Sequence, residues 1–293
     1  MKSFAIYIPA YQAAQTVDQV LARIPAEIIL ASKEILVVDN ASDDDTQKVA
    51  LNFKSKHGLE QLHVMRLPQN LGYGGSQKMA YRYFANSDVD LVIMLHADGQ
   101  YAPESLPQLL EKIESTGSDM LFGSRISGDP LKGGMPLHRF VGNRILTFLQ
   151  NLFLKSNFSE FHSGYRIYKT ECLRDVNFEN LSDDYHFDTE ILILCLRAGR
   201  KIVEVSIPTF YGTEKNYVNV WSYGLQVLIT TTSYFLHQTK LRRSLNWERI
   251  LTKEPYEARR VLIQKLFPAI NYDNSPMQDP SRLLPPVSFR TGN

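Results

Sequence analysis

His96, Asp98 and Gln100 fall at alternate positions within five residues. Imidazole and oxygen groups at that spacing can face one divalent ion. A hard cation such as Mg²⁺ or Mn²⁺ there would bridge Asp98 to a diphosphate and offset charge developing on a nucleotide leaving group. A second set of residues suits a nucleoside. Asp39, closing an apolar run, can accept hydrogen bonds from a base or ribose, and Tyr11 offers a flat ring for stacking. Asp39 also suits a turn or a helix cap. Asn70 and the glycines at 72, 74 and 75 allow close backbone approach to a ligand at a helix start, with Lys78 one turn in.

These residues need a scaffold that brings distant segments together. The first 125 residues alternate short apolar runs with segments of helical period, the pattern of βαβ units around a mainly parallel sheet. Strands are expected at 4–9, 35–39, 63–67, 91–95 and 120–122. Between them Val17, Val20, Leu21 and Ile24 share one helical face, as do Leu106, Leu109, Leu110 and Ile113. Open α/β sheets bind ligands outside the carboxyl ends of their strands. Four such ends coincide with the chemistry-bearing residues: Pro9-Ala10-Tyr11, Asp39-Asn40, Asn70-Leu71-Gly72 and His96-Ala97-Asp98-Gly99-Gln100. Further along, a Gly/Pro-rich loop at 128–136 precedes an amphipathic helix at 139–154, another helix at 189–198 and a strand at 202–206. This α/β organisation divides into a nucleotide-binding half (1–125) and an acceptor half (126–239). Residues 240–293 carry ten Lys or Arg against five Asp or Glu, a net of +5, and read as a basic helical extension with an irregular tail.

Several classes are excluded. Gly72 and Gly74 are followed by Gln77 where a dinucleotide fingerprint needs glycine, and they follow the third strand instead of the first. A net charge of +1 over 293 residues gives no ground for a nucleic-acid partner. Cys172 and Cys195 are too few for a disulfide framework and read as core thiols in a reducing compartment. No stretch approaches the ~20 apolar residues of a spanning helix. The apolar helix at 139–154 and the basic tail instead allow a peripheral membrane contact. The competing reading packs Ile145, Leu146, Leu149 and Leu152 against the sheet and makes the tail a homo-oligomer contact or a solvated surface.

The motifs together resemble glycosyltransferase family 2, and within it the dolichyl-phosphate mannose synthase and polyprenyl-phosphate sugar synthase branch. The residues that carry the resemblance are Pro9-Ala10-Tyr11, Val37-Val38-Asp39 through Thr46, Asn70-Leu71-Gly72, the Asp98 motif, Gly123-Ser124-Arg125, Ser163-Gly164-Tyr165-Arg166 and Phe187-Asp188-Thr189-Glu190. The resemblance spans roughly residues 3–235. It implies a GT-A fold, a nucleotide diphospho-sugar donor, a metal held at Asp98 and Gln100, and basic residues Arg125, Arg166 and Lys215 facing phosphates. The chain departs from the pattern in three places: His96 stands for the first aspartate of the Asp-x-Asp element, Ala13 for a glutamate, and Thr209-Phe210 for the arginine before Tyr211. No counterpart of the membrane helices that often follow the catalytic domain in this branch is expected in residues 240–293. Attack on the anomeric carbon from the face opposite the nucleotide would give inversion, and the basic tail with the apolar helix at 139–154 suggests a cytoplasmic protein. A lipid-phosphate acceptor needs no base; a hydroxyl of a glycan acceptor needs Glu160, Asp188 or Glu190 to take its proton. Asp188 and Glu190 suit a helix cap equally well. A nucleotide-sugar binder without catalysis is the alternative that His96 raises.

Overall fold

The computed structural model describes residues 2–208, 211, 219–239 and 247. The central strands of its sheet are built from runs buried on both faces, as strands covered from two sides must be. In chain order they are β1 (Phe4–Ala10), β2 (Glu34–Asp39), β3 (Leu62–Arg66), β4 (Leu91–Met94), β5 (Met120–Ser124), β6 (Arg166–Lys169) and β7 (Ile202–Ser206). They form one seven-stranded sheet in the order β3-β2-β1-β4-β6-β5-β7. All pairings are parallel except those of β6, which runs antiparallel between β4 and β5. The sheet is therefore mixed, and it crosses the expected boundary near residue 125 without a break. Six strands lie where the periodicity places them. β6 was not expected, because its four residues sit inside a motif read for its arginine.

The helices are α1 (Val17–Arg23), α2 (Ala26–Ala31), α3 (Thr46–His57), α4 (Tyr73–Ala85), α5 (Leu106–Thr116), α6 (Leu137–Leu154), α7 (Thr170–Asp175), α8 (Phe187–Arg197) and α9 (Val220–Gln238). The stripes of α1 and α5 are buried against one sheet face, together with Ala50 of α3. The other face is covered by α4, α7 and α8. Glycines at positive φ end α3 and α5, Gly58 at 62° and Gly117 at 63°, where an L side chain would be strained. Cys172 and Cys195 are both buried, with their sulfurs 3.7 Å apart. Of the 240–293 segment only Trp247 is described; its ring lies 4.9 Å from that of Tyr234 on α9.

The expectation that Ile145 and Leu152 pack against the sheet is corrected: they are 56% and 61% exposed. α6 turns its amides and hydroxyl inward instead. Gln150 is fully buried, Thr147 nearly so, and Asn143 reaches the buried Glu160 at 2.8 Å. No helix among the described residues is long and apolar enough to cross a membrane.

Candidate active site

Chain connections leave β1 in one direction, through β2 to β3, and then jump across to β4 on its other side. The topological switch point, where a crevice must open, thus lies between the carboxyl ends of β1 and β4. Pro9–Ala10 and His96–Gln100 meet there, with the Ala97 amide donating to the Pro9 carbonyl at 3.3 Å. Asn40 is tied to the same strand end, its amide donating to the Ala10 carbonyl at 2.8 Å. The loops leaving β1 and β2 each hold a non-glycine residue in the left-handed region, Gln12 at φ 50° and Ala41 at φ 59°. That conformation costs about 1 kcal/mol or more per residue. It is held by cross-loop bonds: the Gln12 amide to Ser42 Oγ at 2.8 Å and the Ala13 amide to Thr46 Oγ1 at 2.8 Å. Such strain clusters at functional loops.

Asp98 is partly exposed at this crevice, and its Oδ1 accepts the Gln100 amide at 3.0 Å across Gly99, whose φ is 78°. The turn presents one carboxylate in a fixed direction. Asp39 is fully buried; its oxygens accept the Ser42 amide and the Arg66 guanidinium, each at 2.9 Å. Tyr11, just past the end of β1, is half-buried.

The Asn70 to Gly75 segment serves a different approach. Asn40 holds it, donating to Asn70 Oδ1 at 3.0 Å and accepting the Leu71 amide at 2.9 Å. A Cβ on Gly72 would lie 2.5 Å from the Asp183 carbonyl, and one on Gly74 2.5 Å from that of Ser182. The close backbone contact that these glycines permit is made by the chain's own 182–183 turn. Lys78 belongs to the same packing: it is 2% exposed, donates to the Leu181 carbonyl at 2.5 Å and pairs with Asp183 at 2.7 Å.

Behind the crevice stands a wall of buried ion pairs. Glu160, with no exposure, accepts from the Arg125 amide and side chain, from Asn143 and from the Ile126 amide. Burial alone would raise its carboxyl, but Arg125 overrides this and holds it below the ordinary carboxylate range. The rest of the Arg125 guanidinium goes to the His162 carbonyl and Tyr211 Oη, at 2.9 and 3.3 Å. Arg166, equally buried, donates to the carbonyls of Ser163, Asp188 and Phe161 at 2.9, 2.7 and 3.2 Å, and lies 3.8 Å from the Asp188 carboxylate. Asp188 also accepts Tyr73 Oη at 2.8 Å. Glu190 accepts the Ser182 amide at 2.7 Å, and burial raises its carboxyl. Both acids lie in the first turn of α8, whose N-cap residue His186 makes no side-chain cap.

The structure brings His96 into this wall. Its Nε2 is 3.2 Å from Tyr73 Oη, and a Cβ on Gly164 would collide with it. Because Tyr73 donates its proton to Asp188, its oxygen accepts from His96, which places the imidazole proton on Nε2. Burial depresses the pKa of His96, so the ring is neutral near pH 7. Among the described residues no group of three or more His, Cys, Asp or Glu could hold a metal. A Mg²⁺ bound through one carboxylate and substrate phosphates needs no such cage. Asp98 fits that requirement, while the Nε2 of His96 faces Tyr73. Lys215 and the Thr209-Phe210 departure lie outside the described residues.

Two residues without an assigned role in the sequence prove central. Tyr73 links His96 to Asp188, and Tyr101 holds the Gly164 amide at 2.8 Å while its ring packs on His96. The signal was an aromatic residue inside or beside a glycine-rich loop, where small polar residues are the rule.

Comparison with known proteins bears on the family and the fold. The model for the family described as glycosyl transferase family 2 matches residues 5–176, more than half of the chain. An undecaprenyl-phosphate mannosyltransferase of Micrococcus luteus is 28% identical over 212 residues, covering 71% of this chain and 83% of that protein. A UDP-N-acetylglucosamine–dolichyl-phosphate N-acetylglucosaminyltransferase of Methanococcus voltae is 24% identical, covering 72% and 86%. Among solved structures, glucosyl-3-phosphoglycerate synthase from Mycobacterium tuberculosis, in complex with Mn²⁺, UDP and phosphoglyceric acid, superposes with a TM-score of 0.61 at 16% identity. That match covers 80% of this chain and 78% of the other. It shows a shared fold.

Proposed function

Because the chain belongs to glycosyl transferase family 2, we propose that it moves a sugar, with inversion, from a nucleotide diphospho-sugar to a polyprenyl phosphate presented at the inner face of a membrane. The relatives named for undecaprenyl-phosphate and dolichyl-phosphate transfer support this acceptor. The observation that carries it is the state of the three candidate bases. Glu160 is enclosed by donors, Asp188 is held by Tyr73 and Arg166, and Glu190 by the Ser182 amide. With all three engaged, an acceptor that is already anionic is favoured over a hydroxyl, which must lose a proton.

In this reading residues 1–125 take the donor and 126–239 the acceptor, with 240–293 appended. Pro9, Ala10, Tyr11 and Asp39 border the nucleoside, and Ala97 and Asp98 the diphosphate. Asp98, with Gln100 beside it, would hold Mg²⁺ or Mn²⁺, which when bound offsets the charge on the departing diphosphate. The acceptor phosphate attacks the anomeric carbon from the face opposite that leaving group. Lys215 is assigned to a phosphate from its motif alone. Arg125, Arg166 and His96 support the site from behind.

The test is a transfer assay with a panel of uridine and guanosine diphospho-sugars, Mg²⁺ or Mn²⁺, and a polyprenyl phosphate or the matching polyprenol. The expected product is a polyprenyl phosphate sugar, with none from polyprenol. Equal transfer to the polyprenol would refute the acceptor. Donor binding without any transfer or hydrolysis would make the chain a nucleotide-sugar binder.

A further inference from the structure

α6 is built inside out. Leu137, Val141, Ile145, Phe148 and Leu152 are all 45% exposed or more, and at 100° per residue they fall within an arc of about 80° on one side of the helix. The opposite side holds Asn143, Thr147 and Gln150, which face the protein. α9 lies alongside. Gly224 faces Leu146, and Phe235 faces Phe153 with ring centroids 5.2 Å apart, so the two helices run in the same direction. α9 adds its own outward row, Trp221 at 90% exposure, Leu225 at 60% and Ile229 at 59%. Two adjacent stripes make one apolar face, larger than scattered surface residues would.

We infer that this α6–α9 face docks in the interfacial layer of an anionic bilayer, with both helices in the membrane plane. Charge selects that occupant. Residues 137–155 and 219–239 contain no Asp or Glu, while His138, Arg144 and Lys155 are exposed. Past α9 the sequence continues with Lys240, Arg242 and Arg243. An apolar face edged by cations complements anionic headgroups. A twofold pairing with a second copy would instead bring these cations together with no carboxylate on either helix to offset them. An exposed Trp at a helix start suits the bilayer interface, where its ring is buried and its N–H stays hydrated. The face lies directly over the acceptor half: Asn143 of α6 bonds Glu160, and Tyr223 of α9 bonds His162 at 2.8 Å. The inference deepens the acceptor reading above without depending on it, since the probe contains neither donor nor polyprenyl phosphate.

The test is flotation of the purified full chain with phosphatidylcholine vesicles, with and without phosphatidylglycerol. The wild type is expected to float with the anionic vesicles at low salt and much less with the neutral ones. The Ile145→Ser/Phe148→Ser/Trp221→Ser variant should lose co-flotation by at least about tenfold with an unchanged melting temperature, because all three side chains are exposed. Arg144→Glu should reduce binding to anionic vesicles alone. A wild type that stays unbound, or a triple variant that floats equally well, overturns the inference. So does a vesicle-free dimer, seen by light scattering, that the triple variant splits.

Discussion

Two regions of the molecule, the Asp98 turn and the block of buried ion pairs around Glu160 and Arg166, use their charged motif residues in opposite ways. At the carboxyl ends of β1 and β4, Asp98 and its neighbours stay partly open at the switch point, held by backbone amides. In the buried block Arg125, Glu160, Arg166 and Asp188 are each at most 8% exposed and satisfied by one another or by carbonyls. A motif residue can therefore recur because it meets a ligand or because it holds the wall that a ligand meets. Residue type alone does not separate the two, whereas burial and partners do.

Breaking the wall should give the largest effect on stability. Glu160→Ala leaves the Arg125 guanidinium buried without its carboxylate, and removing one partner of such a pair costs about 3–5 kcal/mol. A drop of well over 5 °C in melting temperature is expected for a chain of this size, checked by calorimetry. A change within 1–2 °C would mean that the wall is not structural.

How much of this was legible beforehand depended on the kind of signal. Six strands and the α1 and α5 stripes followed from periodicity, because a face buried on a sheet repeats in register. The Asp98 turn followed from its position after an apolar strand. β6 was missed, being four residues long and antiparallel in a mainly parallel pattern. The inside-out orientation of α6 was hidden because a hydrophobic stripe has the same period whether it faces core or surface. The burial of Arg125, Glu160 and Arg166 has no local trace in the sequence, because their charged partners lie 22 to 35 residues away.

Glycine substitutions sharpen the contrast at smaller scale. Gly74→Ala places a Cβ 2.5 Å from the Ser182 carbonyl and 2.7 Å from Phe187 Cβ, and should cost about 1–3 kcal/mol. Gly142→Ala, within α6 with nothing inside 4 Å, should stabilise by about 0.5–1 kcal/mol. Denaturant melts of the two variants should therefore shift in opposite directions; a shift in the same direction would contradict the packing at the 182–183 turn.

A further effect is in pH. Burial lowers His162 to about 4, below its unfolded value of about 6.5. The fold favours the neutral ring, so its contribution is complete above about 6.5 and is lost as pH falls toward 4, on the order of 1 kcal/mol or more. His162→Gln should flatten part of that acid slope in melting temperature. An unchanged slope would mean that water reaches the ring.

The most direct test of the central claim compares Asp98→Asn with Glu160→Gln, measuring turnover per folded molecule beside the melting temperature. The account predicts that Asp98→Asn melts like the wild type but loses transfer by about a hundredfold or more, with the Mg²⁺ dependence of donor binding gone. It predicts that Glu160→Gln melts lower yet retains most of its turnover when assayed below its transition. An active Asp98→Asn, or a Glu160→Gln that melts like the wild type and is inactive, would contradict it.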